Sequence, residues 1–329
     1  MKEKEIRPQD LFARYVDLSA QDAADFFIDE ERVDIPCIAC DSQDKDFFTE
    51  KHTFRYVSCS NCESVFVSPR PSTDSFDAFY KNSKSSTYWA EVFYPAVAEA
   101  RREKIFIPRV NMLTELCEKK NIKINKLIDI GAGYGVFLDE WVKKNPHSQC
   151  LAIEPSELLA DECRSKGIDV EQCSAEELEG YDNYADLVVC FEVLEHVQDT
   201  FAFINTLKKL LKPGGYLFIS TLCIDGFDLK MLKEHSSQIS PPHHINFLSI
   251  LGFENLFSRC GLTEIDIITP GKLDVDIVKN FALKNPNLIK LDTFIDGIIN
   301  NDDKANAFQL FLSENKLSSH AWVLGKKPG

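Results

Sequence analysis

The sequence predicts an α/β fold, a parallel sheet with helices on both faces, and three observations carry that prediction. The first is Lys126 to Trp141, KLIDIGAGYGVFLDEW, where a short apolar run, Leu127, Ile128 and Ile130, stops at Gly131. Beyond it Val136, Phe137, Leu138, Trp141 and Val142 recur at helical spacing, so a strand turns through glycines straight into a helix. The second is the regular alternation of apolar runs and helical stretches that continues from there. The third is Glu154, which closes the second run 23 residues beyond Gly131, about where an acidic residue holds ribose hydroxyls in a Rossmann unit.

At 329 residues and 44% hydrophobic, the chain can bury at least one full core, as one large domain with appendages or as two domains. No apolar run approaches the roughly 18 residues of a spanning helix, and MKEKEIRPQD lacks a secretory apolar stretch. A soluble cytoplasmic protein with no membrane partner is expected. The net charge of −15 disfavours a nucleic-acid partner, which needs lysine and arginine clustered against phosphate.

In chain order, residues 1–33 form an N-terminal helical segment, expected as two short helices. Leu11, Phe12, Tyr15 and Val16 make one stripe, and Ser19 caps a second helix carrying Ala23, Phe26 and Phe27. Residues 34–72 are a metal-binding module: Cys37-x-x-Cys40 and Cys59-x-x-Cys62 lie 18 residues apart, inside the spacing of four-thiolate zinc sites. Four thiolates leave no open coordination position, so the zinc is expected to be structural; the competing reading is four unrelated reduced cysteines. The other seven cysteines sit among apolar neighbours and read as small hydrophobes. Ser68-Pro69-Arg70-Pro71 closes the module as a turn.

Residues 73–125 form a helical linker, interrupted at Pro95 and Pro108. Its aromatics, Tyr80, Tyr88, Trp89, Phe93 and Tyr94, are either core or one wall of a substrate pocket. Residues 126–271 are the cofactor-binding core: the glycine turn, CLAIEPS ending in Glu154, a third strand around Val170 leading to Ser174, Ala175 and Glu176, and a fourth from Asp186 to Val197. Glu192, Glu195 and His196 interrupt that fourth run at its C-terminal end, where open parallel sheets place ligands. Leu211 to Gly215 turns into a fifth strand, YLFIST. Residues 272–329 supply C-terminal helices and a closing strand, the helices covering either the sheet edge or a homodimer surface.

Two details decide which cofactor the turn receives. The dinucleotide fingerprint places its third glycine where Val136 stands, so Gly135 is out of register. Asp129, two residues before Gly131, would repel a pyrophosphate and suits a cation. S-adenosylmethionine, cationic at sulfur and at its amino group, satisfies both.

LIDIGAGYG, the acidic end of AIEPS, FEVLEHV and LKPGGYLFIST, in this order between Lys126 and Gly271, resemble a class I S-adenosylmethionine-dependent methyltransferase. The resemblance implies a Rossmann-like seven-stranded sheet whose inserted last strand is antiparallel, here TEIDIITP and HAWVLGKK as the closing strands, with an N-terminal zinc-ribbon module and helical additions. It implies Asp129, Gly131, Gly133 and Gly135 on the methionine and glycine-loop side, Glu154 on the ribose, Ser174 and Ala175 on the adenine, and Phe191 on the methionine moiety. The cysteine module followed by VFVSPRP resembles methyltransferases of deoxysugar and surface-polysaccharide pathways, which implies a sugar or nucleotide-sugar as the small-molecule substrate.

The long excursion Thr221 to Phe247 is expected to be a lid. It carries Pro241-Pro242-His243-His244, and an acceptor that must lose a proton needs a base near neutral pH, so His243 or His244 is the candidate general base with Tyr88 as partner. The competing reading is that the histidines brace the loop. Two other functions stand beside small-molecule methylation: a methyltransferase docking on protein or RNA through the zinc module, and a non-catalytic cofactor-binding scaffold.

Overall fold

The computed structural model describes residues 2–28, 30–289 and 291–329, and the alternation that begins at Lys126 forms one seven-stranded mixed sheet. In chain order its strands are β1 (Lys126–Ile130), β2 (Gln149–Ile153), β3 (Asp169–Glu171), β4 (Ala185–Phe191), β5 (Leu211–Leu222), β6 (Thr263–Ile268) and β7 (His320–Lys326). Across the sheet they run β6-β7-β5-β4-β1-β2-β3, so the last strand is inserted between the fifth and sixth. Strands β3, β2, β1, β4 and β5 are parallel neighbours, with Ile128 beside both Leu151 and Val188. Leu127, Ile128, Val188 and Val189 are fully buried because both faces are covered, which is why these strands read as continuous apolar runs.

The fourth strand stops earlier than its apolar pattern suggests. It ends at Phe191, because Glu192 takes φ of +56° and turns its N–H onto the Ser220 carbonyl at 2.8 Å. Left-handed backbone cannot continue a strand, and VLEHV becomes a turn.

The chain divides into two compact units, and the sheet belongs to the one comprising Val97–Ser220, Leu256–Asp266 and Val323–Gly329. The other comprises Met1–Ala96, Thr221–Asn255 and Ile267–Trp322. Its N-terminal part holds a one-turn helix, Glu3–Ile6, and then a single long helix, Gln9–Phe27, across the two apolar stripes expected as separate helices. Ser19 does not cap: its hydroxyl donates to the Tyr15 carbonyl one turn back, so the helix runs through it.

A four-stranded sheet follows, ordered Asn246–Phe247, Val65–Val67, Phe54–Cys59, Lys45–Lys51. Its first strand comes from the excursion expected as a lid. Leu222, Ile224, Leu229, Ile239, Ile245 and Phe247 from that excursion share a core with Phe27, Phe54, Phe76 and Phe79. The segment is therefore core rather than cover. Arg70–Pro71, expected as part of a turn, pairs instead with Arg32–Val33.

The prolines of the linker bend the helical path without ending it. Each is preceded by one π-helical turn, Trp89–Phe93 before Pro95 and Arg102–Phe106 before Pro108, in which Tyr94 and Ile107 donate five residues back. Widening the turn there accommodates a ring that cannot donate and would strike the carbonyl four residues earlier. The C-terminal helices Asp274–Lys284, Thr293–Ile299 and Asp302–Glu314 build a second core, in which Val275, Val278, Ile299 and Leu312 pack with Leu232 of the excursion. Among the described residues no helix is long and apolar enough to cross a membrane.

Candidate cofactor site and cysteine centre

Strand β1 delivers Asp129 and then the glycine turn. Gly131, Gly133 and Gly135 all have positive φ, but they do different work. A Cβ on Gly135 would lie 2.8 Å from Ile168 and 2.9 Å from the Cys163 sulfur, so this glycine is needed for packing. A Cβ on Gly133 would meet nothing within 4 Å, so this glycine faces open space. The helix Val136–Lys144 starts directly after Gly135, its first N–H groups at the turn.

Glu154 follows β2 and is buried. Its carboxylate accepts the Gly133 N–H at 2.8 Å and the Ser156 N–H at 3.0 Å, tying the second strand to the glycine turn. Burial pushes its carboxyl up, and these two N–H groups pull it back down. Each oxygen keeps lone-pair capacity for a ligand hydroxyl.

Asp129 is 1% exposed, and its Oδ1 has no hydrogen-bond partner in the protein. Burial raises its carboxyl well above the ordinary range; Arg109 draws it down and Glu154 drives it further up. A buried acceptor left without a donor is costly, and it fits a ligand that brings an N–H or a positive charge. This is the fit expected for the amino group of S-adenosylmethionine, and it is poor for phosphate.

Phe191 ends β4 half-buried, its ring 4.5 Å from that of Phe137 and 5.9 Å from that of Phe218. Ala175 is buried just beyond β3, and the Ser174 N–H donates to Glu177 at 2.9 Å. The structure thus places all eight expected cofactor residues at the C-terminal ends of β1 to β4 and in the turns that follow them.

One further residue escaped the sequence reading, and it meets Glu192, which the sequence placed at the end of the fourth run. Arg109, 4% exposed, reaches from the helix Ile107–Lys119 to Glu192 at 3.1 Å and stacks its guanidinium over Phe191 at 4.5 Å. Glu192 also accepts the Ser220 hydroxyl at 2.6 Å. The available signal was Arg109 standing one turn before Leu113 on an otherwise apolar stripe. Asp129, Glu192 and Glu195 all act on this one cation, so carboxylates outnumber it.

His243, His244 and Tyr88 belong to the other unit. His243 is boxed by Tyr15, Phe79 and Tyr80, with its Nε2 2.9 Å from the Ser85 hydroxyl; burial pushes its pKa down to about 3. His244 donates from Nδ1 to the Gln238 carbonyl at 2.7 Å, so its neutral ring carries the lone pair on Nε2. Tyr88 is half-buried at the end of Lys84–Tyr88. Of the other linker aromatics, Phe93 is buried core and the half-buried Trp89 stacks on it at 4.4 Å, beside Tyr15 and Phe12.

The four cysteines meet as their spacing implies. All four sulfurs lie within 4.8 Å of one another, with Cys37 and Cys62 at 3.5 Å and Cys40 and Cys59 at 3.5 Å. Metal–sulfur bonds of about 2.3 Å at tetrahedral angles put thiolates about 3.8 Å apart, so the donor set fits zinc. The knuckles repeat each other: the Cys37 and Cys59 N–H groups donate to the Ser42 and Ser64 carbonyls, and Asp41 and Glu63 take φ of +67° and +61°.

A methyltransferase-domain family model matches residues 97–266, which begins where the sheet unit begins and spans just over half of the chain. Among curated relatives, a ubiquinone biosynthesis O-methyltransferase from Methylococcus capsulatus is 36% identical over 104 residues, 30% of this chain and 43% of that protein. A tRNA U34 carboxymethyltransferase from Campylobacter lari is 25% identical over 163 residues, 48% of this chain and 56% of that protein. The matches thus span about half the length of these relatives. Among solved structures, the plantazolicin methyltransferase BpumL with S-adenosylhomocysteine superposes with a TM-score of 0.51 at 13% identity, over 77% of this chain and 94% of that one, a likeness of fold.

Proposed function

This chain belongs to the methyltransferase-domain family, and from that premise we propose that it transfers a methyl group from S-adenosylmethionine to a small-molecule acceptor. The observation that carries the reading is Asp129, a buried carboxylate with an unpartnered oxygen at the mouth of a glycine turn. Bound there, the sulfonium supplies an electrophilic methyl carbon. The residues of the chain do the rest. Asp129 would accept from the amino group, Glu154, which braces Gly133, would accept from ribose hydroxyls, Gly133 would let the ligand approach bare backbone, and Phe191 would flank the methionine chain. Arg109 holds Phe191 and Glu192 in place. Positioning of this kind supplies about 7–11 kcal/mol of barrier reduction in favourable cases.

For the acceptor, the proposal is a sugar or nucleotide-sugar, supported by the cysteine module ahead of the methyltransferase domain, with zinc as the structural metal. His244 is the proposed general base, with Tyr88 as its partner. Its Nδ1–H is fixed on a carbonyl and its lone pair stands on Nε2, whereas His243, pushed to about 3, holds no useful basicity at neutral pH. The relatives named for ubiquinone biosynthesis favour oxygen as the atom methylated.

Calorimetry with S-adenosylhomocysteine tests the cofactor, and methyl transfer from labelled S-adenosylmethionine to nucleotide-sugar and hydroxylated aromatic panels tests the acceptor. Labelling of the aromatic panel alone would move the reading from sugars to the second class. Cofactor binding with no acceptor labelled in either panel would leave only the macromolecular and non-catalytic readings.

A further inference from the structure

Asp228 and Asp274 lie 0% and 2% exposed in the unit that holds the C-terminal helices, and their environments differ. Asp274 is fully supplied with donors: the Ser318 hydroxyl at 2.6 Å, the Gln309 amide at 2.7 Å and the Ser319 N–H at 2.7 Å. Neither oxygen of Asp228 receives a hydrogen bond in good geometry, and the groups around them are Asp274, the Ser319 hydroxyl and the Leu229 N–H. Two glycines permit the close packing around this pair: a Cβ on Gly226 would fall 2.2 Å from Ser319, and one on Gly271 would fall 1.9 Å from the Ser318 hydroxyl.

An ionised carboxylate only accepts, so two of them facing each other in a dry interior offer no bond and repel. One proton changes this. On Asp228 it turns the repulsion into a charge-assisted O–H donated to Asp274, and it removes one buried charge. We propose that Asp228 is protonated at neutral pH and donates this proton in a hydrogen bond to Asp274, and that the bond fastens the helix Phe227–Leu232 to the C-terminal helices, so that the unit loosens as the proton is lost.

The electrostatic setting agrees. Burial is the largest influence on Asp228, Asp274 the next, and together they lift its carboxyl to about 8. From the helix Asp274–Lys284 the group facing it is Asp274 and from the segment before β7 it is Ser319, while Ser318 and the uncharged Gln309 of Asp302–Glu314 bond to Asp274. On its own segment lie the Cys223 thiol, raised by burial, and the Asp225–Lys230 pair at 3.6 Å. A folded-state carboxyl raised above its unfolded value of about 3.9 gives stability that is present at low pH and is lost as pH rises toward about 8. Within that window the folded-to-unfolded ratio falls by up to tenfold per pH unit.

Asp228→Asn keeps a donor toward Asp274 and removes the proton from the titration. In urea unfolding of the full chain, the stability of the wild type relative to this variant should fall by tenfold or more in equilibrium constant between about pH 5.5 and about pH 8. A difference that stays constant over that range overturns the proposal. Should the variant not fold, infrared spectra of the wild type decide: a buried protonated carboxyl band at neutral pH that vanishes in alkali supports the proton on Asp228, and its absence overturns it. A divalent cation would also satisfy two facing carboxylates. Calcium or magnesium raising the wild-type midpoint, but not that of the variant, would replace the proton with a metal.

Discussion

Asp129 is held under opposing demands. Burial without a donor disfavours its charge, yet a cationic ligand needs that charge in place. Asp129→Asn should therefore leave the ligand-free protein at least as stable while weakening S-adenosylhomocysteine binding by roughly 10- to 100-fold, the worth of a hydrogen bond to a charged group. Calorimetry beside thermal unfolding separates the two effects. The sign with pH follows: because the ligand-free carboxyl is raised, binding requires loss of a proton and strengthens as pH rises. Affinity that is flat with pH would mean that Asp129 does not meet the ligand. Gly133 and Gly135 offer a matched pair. Both replacements carry left-handed strain of about 1–2 kcal/mol, but Gly135→Ala also drives a Cβ into Ile168 and Cys163 and should cost more stability, while Gly133→Ala should chiefly lose cofactor affinity. Of the histidines, His244→Gln should lower turnover with cofactor affinity unchanged. His243→Ala should chiefly lower the melting temperature, since it empties an aromatic box.

At the scale of elements, the cysteine module makes the sharpest prediction. If Cys37, Cys40, Cys59 and Cys62 hold zinc, the purified chain carries about one zinc per molecule, and Cys62→Ser loses it together with several degrees of melting temperature, since such sites contribute folding energy. A metal-free chain with an unchanged melt would make the cluster four reduced thiols. This module and the glycine turn were legible in sequence because short-range spacing alone encodes them. The closing strands TEIDII and HAWVLGK carry strand character on their own, but their order in the sheet was expected only from the family resemblance. What sequence hid depends on backbone conformation or on long-range packing. Ser19 bonds backward instead of capping, Glu192 ends β4 through one left-handed residue, and the prolines at 95 and 108 are absorbed by π turns. The excursion Thr221–Phe247 has the length of a lid, but its apolar residues find partners far away in the chain, in Phe27, Phe54 and Phe76. Arg109 belongs to no motif, and only the fold reveals the carboxylates around it.

For the whole molecule, the family match from residue 97 to 266 includes the sheet unit up to β6 and also spans Thr221–Asn255 of the other unit. The unit with the cysteine centre is assembled from three separate stretches, one before that span, one inside it and one after it. The family match thus takes in residues of both units, while the cysteine centre lies outside it. The net charge of −15 agrees with a cation at the strand ends, where Asp129, Glu192 and Glu195 act on the buried Arg109. The most direct measurement is isothermal titration of the purified full-length chain with S-adenosylhomocysteine and, in parallel, with a nicotinamide dinucleotide. One site per chain is expected for the former, abolished or strongly weakened in Asp129→Asn, and no heat from the latter. Dinucleotide binding with no response to S-adenosylhomocysteine would contradict it.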